Sequence, residues 1–427
     1  MTSLDKTPMN AIIFGTGEYV TGWTGQGGSK SDKALGVVGL VHFDLRERGL
    51  IGSKIALCGT NGNKFKDIRN HFDEKIGKAF KNLPNLSFEA FPNEGEVDSK
   101  AYLKCLEEFS KPGDVCSVFT PDSSHYEICK AALQKGLHVI ATKPMVKTLK
   151  EHIELVELAK EKGVLLQIEV HKRFDPIYSD AVMRIKDLGD FNYFVSYMSQ
   201  PKFQLETFRA WAGIDSDISY YLNSHHVDLH VWSMQGKARV ISVRANATEG
   251  VIAEKILERP CEDTITLTAV WENLKEGENG KKSKGHAVYT ASWTAAKSDV
   301  HSQQRFFCLM EKGEVTADQC HRNYTVATDE TNGLSSLNPL YIRNVPDFEG
   351  NYCGQNGYGY ISFEKFVKAA KAINDGEKKA EEFDRGLPTG NVTKAVTAIL
   401  EGGRRSLDDG GREVRFVYEE GDIVGME

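Results

Sequence analysis

The sequence predicts an α/β chain: an N-terminal doubly wound parallel sheet, then an α+β region with a large open, mainly antiparallel sheet. Three observations carry this. Between residues 11 and 170, short apolar runs alternate with amphipathic stretches of helical period, the pattern of parallel strands joined by crossover helices. From Tyr178 onward the alternation gives way to one helical segment and then to clustered extended runs. Gly15-Thr16-Gly17 closes the first apolar run, as a tight turn from a buried strand into a helix requires.

A chain of 427 residues, 40% hydrophobic and 26% charged, accommodates two domains of ordinary size. The change of pattern puts the expected boundary between 1–172 and 173–427. The net charge is −7 with Lys and Arg scattered, so neither nucleic acid nor a membrane is an expected partner, and a small solute is. The eight cysteines form no Cys-x-x-Cys pair, which argues against a zinc ribbon or disulfide scaffold and for reduced, mostly buried thiols. No apolar run approaches the ~20 residues that span a bilayer, and Met1 to Asn10 is polar. The expected location is cytoplasmic, where the sequons at Asn246, Asn323 and Asn391 carry no weight.

Taken in order, Ala11 to Phe14 is the first strand, and the glycine turn behind it has the form of a phosphate cradle. A simple turn is the competing reading, because Val20 stands where Gly-x-Gly-x-x-Gly has its third glycine. A Gly-rich insert, Thr21 to Lys33, precedes a helix at Ala34 to Arg48; it suits either a wrap around a pyrophosphate or a surface loop. The second strand, Lys54 to Cys58, ends at Gly59-Thr60-Asn61 without the Asp or Glu that holds both ribose hydroxyls at an NAD site. That neutral end, with Asn61 and Lys64 beside it, favours NADP(H) over NAD(H), although a solvated Lys64 at a helix start is the bland alternative.

Leu86 to Phe91 is the third strand, Val97 to Phe109 a helix, and Val115 to Phe119 the fourth strand. Leu137 to Ala141 is the fifth, and it delivers Lys143, pinned by Pro144. Thr148-x-x-Glu151 caps a helix ending at Gly163, and Val164 to Val170 is the sixth strand. Ligands of such a sheet lie at the strand carboxyl ends, where Gly15, Thr60, Thr120, Lys143 and His171 all fall.

In the second half, Asn192 to Met198, Arg239 to Ala245, Thr264 to Trp271, His286 to Trp293 and Gln304 to Met310 read as strands. The polar tract Glu272 to Lys284 reads as a hairpin loop. Ile218 to Met234 reads as one helix whose inward face carries Ile218, Tyr221, Leu222, His225, Leu229 and Trp232. His226 and His230 share a neighbouring face, but no third ligand accompanies them, so no metal is expected. Gln200, Lys202, Arg209 and Trp211 lie where a cleft wall is expected, and Arg209 has the fork for a carboxylate. Asn351-Tyr352 and Tyr358-Gly359-Tyr360 are further cleft candidates, with core packing the favoured role; Tyr358 to Ile373 and Asn391 to Ser406 read as packing helices.

Val118-Phe119-Thr120-Pro121 with His125 downstream, Gly136-Leu137-His138-Val139, Lys143-Pro144 and Arg173-Phe174-Asp175-Pro176 together resemble the Gfo/Idh/MocA oxidoreductase family. Gly15 to Trp23 and the insert after it are most similar to its fungal D-galacturonate reductase branch. The resemblance implies a Rossmann domain whose cofactor contacts include Gly15, Thr16, Gly17, Tyr19, Val20, Gly59, Thr60, Asn61, Lys64, Phe119, Thr120, Pro121, His125, Lys143, Pro144, His171 and Arg173. His225-x-x-Asp228-x-x-x-Trp232 is similar to the family's segment in which a histidine faces the nicotinamide. It implies Lys143 as oxyanion stabiliser and His225 as proton donor, with Tyr221 and His226 as rivals, and Lys143, Gln200, Arg209, Asn223, His225 and Tyr352 as substrate contacts.

Two positions depart from the family: Thr142 where Glu usually precedes Lys-Pro, and Tyr221 where a carboxylate usually stands four residues before the histidine. The site is therefore expected to be more cationic than its relatives, which suits an acidic substrate. The implied reaction is NADPH-dependent reduction of the aldehyde of a sugar acid, a uronate such as D-galacturonate or D-glucuronate, to an aldonate. The alternatives are an NAD-dependent glycosidase of the same fold, a sugar or polyol dehydrogenase working in the oxidative direction, and a non-enzymatic nucleotide-binding protein. A broad open sheet implies a homodimer or homotetramer.

Overall fold

The computed structural model describes residues 8–25, 27–29, 33–277, 280–296, 303–320, 324–329 and 333–427. Sequon Asn323 and residues 26 and 30–32 of the Gly-rich insert lie outside the described residues. Two compact units form: 1–145, 154–171 and 339–391 make the first, and 146–153, 172–338 and 392–427 the second. This differs from a single cut after residue 172, because 339–391 rejoins the first unit. Its helix Tyr358–Asn374 buries Tyr360, Phe363 and Phe366, with Phe363 against His42 and Phe119.

The first unit is built on β1 (Ala11–Phe14), β2 (Ile55–Cys58), β3 (Glu89–Phe91), β4 (Val115–Val118), β5 (His138–Thr142) and β6 (Leu166–Glu169). All pairings are parallel, in the order β3-β2-β1-β4-β5-β6, so the winding reverses between β1 and β4. That reversal opens a crevice at the strand carboxyl ends. β1, β2, β4 and β6 are buried along their whole length, as expected of strands covered on both faces, although β6 carries Gln167 and Glu169. β3 is shorter than its apolar run, and the following helix starts at Ala101 rather than Val97. The intervening chain is spent on the turn after β2: Gly62 donates to Glu96 O at 2.8 Å and Asp98 to Thr60 O at 3.0 Å.

The second unit contains β7 (Phe191–Pro201), β8 (Ala238–Glu249), β9 (Glu262–Glu276), β10 (Lys282–Ala295), β11 (Gln304–Met310), β12 (Gly313–Asp318), the small pair β13 (Thr325–Thr328) and β14 (Gly333–Ser336), β15 (Val414–Glu419) and β16 (Asp422–Met426). The large sheet has eight strands in the order β12-β11-β7-β10-β9-β8-β15-β16. β7 and β10 run parallel; its other pairs are antiparallel. Strand alternation puts Phe194, Leu267, Trp271 and Tyr289 into a core shared with the helices Pro176–Asp187, Ser224–Met234 and Gly390–Asp408. The opposite face keeps Tyr193, Val195, Tyr197, Val288, Phe307 and Leu309 half-exposed. Among the described residues, no helix is long and apolar enough to cross a membrane.

Candidate active site

At the edge of the first sheet, Gly15 has φ +118°, and a Cβ there would stand 2.2 Å from the Phe119 carbonyl oxygen. Only glycine lets the ends of β1 and β4 meet so closely. Beside Gly17 a Cβ would meet nothing within 4 Å, so the turn leaves open room against its backbone. The packing role of the missing third glycine moves downstream: a Cβ on Gly36 or Gly39 would stand 2.6 or 2.9 Å from Val20 O. Thr16 abuts Gly59, and Tyr19 stacks on Phe119 with centroids 5.5 Å apart and accepts a 2.6 Å hydrogen bond from Tyr341. A glycine-lined opening at the crevice of a doubly wound sheet fits a dinucleotide pyrophosphate.

At the end of β2, the Asn61 side chain accepts from the Asn63 N–H at 3.0 Å, and Lys64 is half-buried at the start of the helix Phe65–Phe72. Of the insert, Trp23 packs edge-on against His71, whose Nε2 lies 2.8 Å from Ala34 O, so its first part is anchored to that helix.

Lys143 is half-buried and precedes a cis peptide to Pro144. Burial lowers its ammonium to about 8, the carboxylates of Asp122 and Glu169 pull it back up, and Lys33 adds to the fall. Carboxylates thus act on the lysine from positions other than 142. His171 holds its Nδ1 at 3.1 Å from both Glu169 oxygens, with Tyr358 stacked at 5.6 Å and Tyr341 tilted at 5.1 Å. His125 is buried, with Nδ1 2.9 Å from Pro144 O and Nε2 2.7 Å from Thr120 O. A neutral ring donates to one of these two carbonyls, so His125 braces an edge loop. Tyr352 is buried, with its ring edge-on to Phe80 and tilted against Tyr360.

In the second unit, Arg173 clamps both oxygens of buried Asp228 with Nε at 2.8 Å and Nη2 at 2.6 Å, and lies over the Trp232 ring at 5.3 Å. A guanidinium spent this way is a structural anchor, which corrects its expected place among the cofactor contacts. The same clamp explains the His-x-x-Asp-x-x-x-Trp spacing, since Asp228 and Trp232 grip one arginine from successive turns. The expected single helix begins as a π turn, Ser219–Asn223, before Ser224–Met234.

His225 is buried one turn before Asp228. Tyr178 donates to Gln304 O at 2.9 Å, so in the 3.0 Å contact with His226 Nε2 the imidazole donates to the tyrosine oxygen. Burial, with Lys172 adding to it, pushes His226 down to about 3; burial does the same to His230, 2.6 Å from the Tyr289 hydroxyl. Tyr221 accepts from Gln200 Nε2 at 3.3 Å within a cluster of Phe208, Trp211 and Trp293. Asn223 is a strut, donating to Ser219 Oγ at 3.0 Å and Ile265 O at 3.4 Å. The fork of Arg209 is taken by Glu206 and by the carbonyls of Ile256 and Leu257, so it is not presented to a ligand carboxylate.

Asp122, Glu169 and Lys33 around Lys143, and Tyr341 beside His171, were not among the expected site residues, whereas Tyr358, stacked on His171, was a cleft candidate. Glu169 carried a signal, as a carboxylate inside a largely apolar strand run. Tyr341 carried none, since it arrives from more than 160 residues away in a returning segment.

The glycine cradle at the edge of a six-stranded parallel sheet of this order is that of a Rossmann-type nucleotide-binding unit. Residues 47–170 match the model of the Gfo/Idh/MocA family, described as an oxidoreductase family with an NAD-binding Rossmann fold. The scyllo-inositol 2-dehydrogenase (NADP(+)) IolW of Bacillus subtilis (strain 168) is 37% identical over 138 residues, 30% of this chain and 38% of that protein. The scyllo-inositol 2-dehydrogenase (NAD(+)) of the same organism is 29% identical over 167 residues, 35% of this chain and 48% of that protein. The chain thus spans less than half of either relative.

Among solved structures, GenD2 from gentamicin A biosynthesis, in complex with NAD, aligns with a TM-score of 0.62 at 17% identity, covering 96% of this chain and 97% of that one. Scyllo-inositol dehydrogenase from Lactobacillus casei, with bound NAD(H) and scyllo-inositol, aligns with a TM-score of 0.60 at 14% identity, covering 96% and 99%. At these identities the likeness is one of fold. Residues 47–170 thus carry the segment that matches the Gfo/Idh/MocA family model, and the fold is the one seen in these solved structures.

Proposed function

We propose that this protein is an NAD(P)-dependent oxidoreductase acting on a sugar or polyol carbon, and specifically an NADPH-dependent reductase of a uronate aldehyde. The observation that carries the reading is Lys143 at the end of β5, an ammonium held near the neutral range between burial and the carboxylates of Asp122 and Glu169. The backbone of Gly15, Thr16 and Gly17 would hold the pyrophosphate. Thr60, Asn61 and Lys64 would hold the adenosine ribose, and the absence of an acid at that strand end favours a 2′-phosphate. Thr120, Pro121 and His171 would flank the nicotinamide, which when bound supplies or accepts the hydride.

Lys143 stabilises negative charge on the reacting oxygen, and we assign the proton of that oxygen to His225 of the second unit. A second reading has a specific motive: with the Arg209 fork committed within the protein, a neutral polyol oxidised with NADP⁺ becomes a direct rival to the uronate. Lys143 and His225 would then act in reverse, one favouring the alkoxide and the other taking its proton. We also propose self-association through the half-exposed outer sheet face of Tyr193, Val195, Tyr197, Phe307 and Leu309.

The test compares NADPH oxidation with D-galacturonate or D-glucuronate against NADP⁺ reduction with inositols. Lys143→Met is expected to lower kcat/KM by ~10²–10³-fold. In the wild type, kcat/KM should fall about tenfold per pH unit above about 8, as the ammonium is lost. Unchanged turnover in Lys143→Met removes the proposal; turnover confined to inositols replaces the uronate with the polyol.

A further inference from the structure

The family's carboxylate before Lys-Pro is missing from this chain, yet the structure places another beside the gap. In the β5–β6 register, Thr142 is paired with Glu169. Paired residues of neighbouring parallel strands project to the same face, with the strands ~4.8 Å apart, so a carboxylate on β6 reaches nearly the region that one on β5 would occupy. Glu169 is 1% exposed, which is a costly position for an acid without compensation. Its compensation is visible: both oxygens lie 3.1 Å from His171 Nδ1, and its charge acts on Lys143.

We propose that Glu169 is a positioning residue that replaces, one strand over, the carboxylate absent at Thr142, keeping Lys143 charged and His171 oriented. The inference rests on Lys143 being the oxyanion stabiliser of the proposed reaction. The groups facing Lys143 are Asp122, Glu169 and Lys33, and those facing Glu169 are His171, Lys143 and Tyr341. Asp122 acts on the ammonium more strongly than Glu169 does, but from a partly exposed loop. Glu169 alone of the two also holds His171, which packs against the rings of Tyr358 and Tyr341. One buried acid thereby serves both a cation and an imidazole at the same strand edge.

The test reads the Lys143 titration without any substrate. Trace acetylation of the full chain across pH, followed by peptide mass spectrometry, gives the Lys143 midpoint, expected near 8 in the wild type. Glu169→Gln, close to isosteric, should lower it by about 1 unit, so that at pH 8 the charged fraction drops roughly fivefold, from about one half to about one tenth. Glu169→Asp keeps the charge and should move the midpoint less. Adding Thr142→Glu to Glu169→Gln should move the midpoint back towards the wild type, a rescue that a merely packing role would not give.

Equal midpoints in wild type and Glu169→Gln, equal shifts in the Asp and Gln variants, or no rescue by Thr142→Glu would each overturn the proposal. Failure of every sugar to turn over would instead strike the proposed reaction and leave the labelling result standing.

Discussion

Lys143 in the first unit and His226 and His230 in the second are all pushed down by burial, yet they end in different places: about 8 for the lysine and about 3 for both histidines. Most of that gap is the ordinary difference between an ammonium at 10.5 and an imidazole at 6.5; the larger fall of the histidines lies in what surrounds them. Two carboxylates, Asp122 and Glu169, resist the fall at Lys143, whereas His226 meets a tyrosine hydroxyl and the cation Lys172, and His230 meets Tyr289 and the rings of Phe194 and Trp271. A group kept useful for chemistry is buried and electrostatically repaid; a group used for packing is buried and left neutral. The contrast also sorts the histidines of one helix. An imidazole near 3 carries no extra proton to give at neutral pH, which leaves His225 as the candidate acid.

The largest expected effect tests that sorting. His225→Asn should lower kcat/KM by ~10²–10⁴-fold with little change in Tm, the range for loss of a general acid. His226→Gln should do the reverse, keeping kcat/KM within a few-fold while costing about 1–3 kcal/mol of stability through its buried bond to Tyr178. Thermal melts and steady-state kinetics on the same two preparations separate the cases. An inactive His226→Gln of wild-type stability would reverse the assignment.

The next effect is on stability against acid. His226 and His230 lie near 3 and His42 near 4 when folded, against 6.5 when free, so below pH 6.5 the unfolded chain binds more protons than the folded one. Their contribution is complete above pH 6.5 and is lost as the pH falls from 6.5 towards 3. At ~1.4 kcal/mol per unit of difference this amounts to on the order of 10 kcal/mol in total. Asp217 works the other way, raised by burial from 3.8 to about 6, so its contribution is present below 3.8 and lost as the pH rises through 6. Three histidines outweigh one aspartate, and Tm should drop steeply between pH 6.5 and 4. His230→Phe should flatten part of that drop; a Tm independent of pH across the window would contradict the buried-neutral reading.

Much of the first unit was legible because its strands are short apolar runs bounded by glycine turns, a pattern that depends on local burial alone. Lys143 was legible for the same reason, sitting where a buried strand runs out. The long-range commitments were not. Nothing in the period of Tyr358–Asn374 tells which sheet it will cover, and that helix belongs to the first unit. Arg173 stands next to the last strand edge in sequence, but its fork closes on Asp228, 55 residues on. Tyr352 was favoured for core packing, but its neighbours Phe80 and Tyr360 could not be named from the sequence. In each case a side chain's partner, and not its type, decided its role.

The smallest effect expected is at Arg209, and it bears most directly on the substrate. The side chain is partly exposed, pairs with Glu206 and donates to the carbonyls of Ile256 and Leu257 at the end of the short helix Ala253–Leu257. A guanidinium with its donors so distributed presents no bidentate face to a sugar carboxylate. Arg209→Ala should therefore change kcat/KM by less than about threefold for uronates and polyols alike, since exposed ion pairs contribute ~0–1 kcal/mol. A loss above tenfold with a uronate, absent with an inositol, would mean that the fork leaves Glu206 and the helix end to meet the substrate. Arg209 would then move from the committed groups of the second unit to the available ones, and the uronate reading would regain its carboxylate clamp.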